Sequence, residues 1–129
     1  MNALMRRRGM MASTSKEEDK GWTDGVKYDW LTGLVPNVYI LTSNGKEASY
    51  SGWSASDYLP CHGAKRLVRG LFMSLYNAFY DENKSFIKHF DLSGNHETVS
   101  VPENAFYFRV SDTTAKMKDN GRYLIPYSE

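Results

Sequence analysis

A single cysteine in 129 residues, Cys61, excludes an intrachain disulfide and any zinc site built on paired thiolates. No stretch approaches the roughly 20 apolar residues that a membrane-crossing helix needs. Charge of one sign is also missing: 16 basic against 15 acidic residues leave a net +1, with no pull toward nucleic acid or an acidic membrane. The three histidines, His62, His89 and His96, have no metal-ligand spacing between them. A nucleophile elbow, a phosphate-binding loop and a glycine-rich dinucleotide loop are all lacking. Asp91-Leu92-Ser93-Gly94-Asn95 has too few carboxylates for a calcium loop. The sequence therefore predicts no catalytic residues, no metal and no cofactor. A small glycosidase using carboxylates such as Asp24, Asp29 or Asp57 is the weakest of the readings.

The aromatic content is high, 14% of residues, with nine Tyr, six Phe and three Trp inside a hydrophobic share of 41%. Aromatic side chains pack well on a pleated surface, so this balance favours strands. One domain of this size can bury its own core. Residues 1–25 read as an arm and linker. The opening MNALMRRRGMMAS has only four small or apolar residues after its arginines, short of the roughly 7–15 of a secretory h-region. Leu4, Met5, Arg6, Arg7, Arg8, Met10 and Met11 are instead candidates for docking on a partner. Residues 13–25 are polar and charged apart from Trp22, expected to cap the edge of the next domain.

Residues 26–129 read as a β-sandwich. VPNVYILT (35–42) and residues 47–53 flank Ser43-Asn44-Gly45-Lys46, which predicts a type I′ hairpin turn. SDYLP (56–60) is extended before its proline. KRLVRGL (65–71), SLYNAFY (74–80), SFIKHF (85–90), residues 97–101, FYFRVS (106–111) and RYLIPY (122–127) follow as further strands. Asp81-Glu82-Asn83-Lys84 supplies a turn, with Asn83 suited to the left-handed region. Pro126 suits an edge strand. About eight short strands at this spacing predict an antiparallel β-sandwich, and a jelly roll is the usual solution. Trp30, Trp53, Tyr58 and Tyr80 are amphipathic aromatics able to stack on a sugar ring or anchor an interface, with His62 and Arg69 as polar companions.

Three segments carry a resemblance: Ser56-Asp57-Tyr58-Leu59-Pro60, AFYDENKSFI (78–87) and VPENAFYFRVS (101–111). They resemble the carbohydrate-binding-module-like β-sandwich domains of tail and other virion proteins from phages of gut bacteria, and of surface proteins of those hosts. Ser56 stands where that pattern usually has Thr, and Cys61 where it has a small apolar residue. The resemblance covers roughly residues 50–112. It implies a non-enzymatic virion component, made in the bacterial host cytoplasm, that decorates a capsid, heads a fibre or binds a receptor. Other virion proteins are its implied partners, with self-association, a trimer included, and a host-surface glycan as possible ligand. A carbohydrate-binding module of a bacterial surface or secreted system is the alternative. The resemblance transfers no catalytic residue; Asp57, Tyr58, Asp81, Asn83, Pro102 and Arg109 read as structural.

Overall fold

The computed structural model describes residues 25–129. The expected docking residues Leu4, Met5, Arg6, Arg7, Arg8, Met10 and Met11, together with Trp22, lie outside the described residues. Among those described, ten strands and one helical turn follow in order. They are β1 (Val35–Ile40), β2 (Glu47–Ala55), β3 (Leu59–Pro60), β4 (Arg66–Arg69), β5 (Asn77–Tyr80), β6 (Phe86–Phe90), β7 (Thr98–Ser100), β8 (Tyr107–Arg109), β9 (Ser111–Thr113), α1 (Thr114–Met117) and β10 (Leu124–Tyr127).

Every pairing is antiparallel, and the fold is all-β as expected. The strands divide among three sheets, ordered β1-β2-β9, β3-β8-β5-β6 and β10-β4-β7. These pairings do not by themselves define a jelly roll. The larger core joins Phe79, Phe90 and Phe108 of the four-stranded sheet to Leu67 and Leu124 of the β10-β4-β7 sheet, with Trp30, Met73, Leu92 and Met117 filling in from the connections. A smaller core joins Ile40 and Ala55 of the β1-β2-β9 sheet to Ala78 and Tyr80. The four-stranded sheet therefore has apolar side chains packed on both faces. This explains why all four residues of β5 are buried although their side chains alternate.

Two chain segments cross between sheets side by side. β2 gives way to β3 through Ser56, and β8 gives way to β9 through Val110. Ser56 N–H donates to Val110 O at 2.8 Å and Val110 N–H donates to Ser56 Oγ at 3.0 Å, so the ladder continues through the corner. Arg109 fastens it. Its Nε donates to the Ser56 carbonyl at 2.7 Å, and its guanidinium meets Glu47 at 2.8 Å while nearly buried. Residues 56–60 and 101–111 thus meet at this corner.

Several local expectations change. A type I′ turn needs positive φ at both central residues, but Gly45 alone adopts it (φ 71). The loop is wider: Leu41 N–H donates to Lys46 O, Gly45 N–H donates to Leu41 O, and the Asn44 side chain accepts from Lys46 N–H. In the β5–β6 turn the left-handed residue is Lys84 (φ 63) rather than Asn83, because the Asp81 carboxylate captures the N–H groups of both Asn83 and Ser85 at 2.9 Å. The helical turn α1 went unexpected. It is capped by Thr113, whose hydroxyl accepts from Lys116 N–H, and it inserts Met117 into the larger core. Pro126 does lie on an edge strand of its sheet.

Candidate functional site

Four aromatic rings, Tyr39, Tyr50, Trp53 and Tyr76, line an open cleft of about 270 Å³. Tyr39 comes from β1, Tyr50 and Trp53 from β2, and Tyr76 from the approach to β5. Tyr39 and Trp53 each meet the other three rings edge to face, with centroids 5.3–6.2 Å apart and interplanar angles of 66–81°. Tyr50 is 57% exposed, while the other three are half-buried. A concave group of large aromatics left open to solvent is the sort of surface that binds rather than one that only fills space.

The backbone explains how Tyr50 and Trp53 come to share a cleft. Three positions apart on a regular strand, they would point to opposite faces. β1 pairs Val38 with Ser49 and Pro36 with Ser54, so Asn37 alone stands opposite residues 50–53. Asn37 (φ 62) and Gly52 (φ 88) both take left-handed backbone in this bulge. A Cβ on Gly52 would meet nothing within 4 Å, so glycine is required there for its conformation and not for space.

A buried polar network holds the other two rings. The Ser111 hydroxyl accepts from Ile40 N–H at 3.0 Å, which fixes the Tyr39–Ile40 peptide, and it donates to the Tyr76 carbonyl. Tyr76 N–H donates to Ser74 Oγ at 3.0 Å. Asn77, fully buried, accepts from Ser111 N–H and donates to the carbonyls of Ser74 and Phe90. Tyr76 is thereby held at both its N–H and its carbonyl, so the backbone that carries its ring is fixed.

The sequence-predicted site residues fall in different places. Trp53 lies in the cleft. Trp30 does not: it is 4% exposed, and its indole N–H donates to Met117 O at 2.7 Å inside the larger core. Tyr80 is buried too, with its hydroxyl donating to Gly45 O at 2.6 Å. Burial lifts the Tyr80 phenol far above its ordinary pKa, against the Arg109 charge, with Tyr58 and Glu47 adding to the rise. Tyr80 is therefore a neutral donor at every physiological pH. Tyr58 is half-buried between two cations, with Lys84 and Arg109 each 4.9 Å from its ring centre, and packs on Tyr80 and Tyr107. That arrangement braces the corner.

Arg69 is occupied by backbone, donating to the carbonyls of His96, Gly70 and Gly94 at 2.7 Å each, so it shapes the 91–97 loop rather than a ligand site. His62 occupies a left-handed turn position (φ 55) and stacks against Tyr28. None of these five joins the Trp53 cleft. Sequence reasoning missed Tyr39, Tyr50 and Tyr76 as its companions. The available signal was Gly52 inside a strand pattern, which marks a bulge.

Among the described residues, no group of three or more His, Cys, Asp or Glu is placed to hold a metal ion, and no helix is long and apolar enough to cross a membrane. Leu71, Phe72 and Leu75 form a second exposed apolar stretch, with Lys116 and Arg122 against the Phe72 ring. Compared with known proteins, the chain matches no family model, no curated protein and no solved structure.

Proposed function

We propose that this protein is a non-enzymatic binding module that recognises a surface-exposed ligand through the Tyr39–Tyr50–Trp53–Tyr76 cleft. The observation that carries the reading is the bulge in β2, which turns two aromatics toward one opening while Ser111 and Ser74 hold the other two in place. Aromatic faces bind apolar C–H surfaces, and phenol and indole groups at their rims add hydrogen bonds. A host-surface glycan fits that chemistry. The setting proposed is a phage virion, in which the module faces outward and residues 1–12 dock on a neighbouring virion protein.

Glycan-array binding by the full chain, compared with Trp53→Ala, tests the ligand reading. Loss of binding with unchanged far-UV circular dichroism supports it, and array-wide silence at high protein concentration argues against it. Deleting residues 1–12 tests the setting. The shortened protein is expected to fold but to be missing from purified particles by mass spectrometry; its incorporation there would sink the docking role of the arm.

A further inference from the structure

We infer that the group entering the aromatic cleft is an alkylammonium head, of the trimethylammonium type, carried by the surface ligand. The inference rests on the proposal that the quartet is the binding site, and it names the chemistry the site selects. Ring geometry is the first argument. A flat pyranose is best served by a flat aromatic platform, whereas neighbouring rings here stand at 66–81° to one another and form corners. A compact, nearly spherical group can touch several walls of such a corner at once.

Electrostatics is the second argument. Each ring carries a negative face, so a cation within about 6 Å of several ring centres is attracted by all of them together. The four lining residues add three phenols and an indole and bring no charged side chain of their own. An anionic sugar would gain no such attraction, and none of the four lining residues is basic to hold it. Size is the third. The cleft, at about 270 Å³, falls just below the range of small-molecule pockets, which begins at roughly 300 Å³. It suits one compact substituent of a surface ligand rather than several sugar rings at once. Finally, the rings are held before any ligand arrives: Ser111 fixes the backbone beside Tyr39 and at Tyr76, which lowers the ordering cost of binding.

Calorimetric titration of the full chain with choline, with its uncharged isostere 3,3-dimethyl-1-butanol and with a methyl glucopyranoside tests the assignment. Choline is expected to bind about tenfold more tightly than the isostere, equivalent to about 1.4 kcal/mol. Trp53→Ala and Tyr39→Ala should abolish that binding with the far-UV spectrum unchanged, and Tyr39→Phe should retain it. Equal affinity for choline and the isostere overturns the cation assignment. Binding of the glucopyranoside alone also overturns it but leaves the proposed binding site intact; if none of the three binds, both readings fall. Phosphatidylcholine vesicles and soluble phosphocholine, assayed in parallel, separate a lipid source of the head group from a glycan one, and binding in either arm supports the assignment.

Discussion

Ser111 ties β9 to two segments through one hydroxyl and one amide: β1 at Ile40, and the start of β5 at Tyr76 and Asn77. Replacing it with Ala leaves the Ile40 N–H and the Tyr76 carbonyl without this partner in a site closed to water. A cost of roughly 1–3 kcal/mol is expected for groups stranded in this way, read as a lower urea midpoint for Ser111→Ala. Ligand affinity at the cleft should fall in the same variant, because two of its four rings lose their anchor. Asp91 offers a residue-scale test by pH. Partial burial works against its ionised form, but hydrogen bonds from the Ser93 hydroxyl and N–H, and the nearby His96 and His89, outweigh that and hold its carboxyl below the ordinary 3.8. A lowered folded-state pKa contributes stability that is present above the unfolded value and lost as pH falls through the folded one. Urea midpoints measured from pH 6 to pH 2 should therefore drop less steeply below pH 4 for Asp91→Asn than for the parent protein; parallel curves would remove Asp91 from the acid response.

At the scale of elements, the bulge in β2 governs the cleft. Gly52→Ala adds a side chain with room around it but with a backbone angle that L residues rarely adopt. The expected stability loss is about 1 kcal/mol. The larger effect should be on the ring cluster, read as a changed near-UV dichroism from Tyr and Trp while the far-UV spectrum holds. The strands themselves were legible in the sequence wherever alternation, Asn-Gly, Asp or Pro marked their ends, as at β1, β5, β6, β8 and β10. The bulge was not legible, because its cause is a register shift between two strands and only Gly52 hints at it. The helical turn α1 was equally hidden: four residues carry no periodicity, and Thr-Thr reads as strand until the Thr113 cap is seen. Trp30 and Tyr80 read as ligand-stacking candidates for a related reason. Their polar atoms suggest solvent, yet each finds a backbone carbonyl inside the protein, at Met117 and Gly45.

At the scale of the whole molecule, β5 connects the two cores, sending Phe79 into the larger and Ala78 and Tyr80 into the smaller. Neither outer sheet can lose its packing without exposing a face of the central one, so the described domain should unfold in a single transition. Near-UV signal from the cleft and far-UV signal from the strands are expected to show the same urea midpoint. An earlier loss of the near-UV signal would mean that the β1-β2-β9 sheet melts by itself. The corner at Ser56, Arg109 and Val110 lies where these layers meet, and the hydrogen bonds and ion pair there hold Ser56 and Arg109 in structural contacts.

Residues 50–52 of the bulge lie outside the regular ladder on both sides, since the pairing with β1 lapses between Ser49 and Ser54 and the pairing with β9 begins at Trp53. Their side chains are therefore free of the pairing constraints that bind the rest of the sheet. Sequence change at Tyr50, the most exposed ring of the cleft, can proceed with little penalty to folding. A rigid back wall and one permissive rim leave room for side-chain change at the opening of the cleft while the corner stays fixed. Saturation mutagenesis at position 50 would make that latitude visible as many folded variants with altered binding.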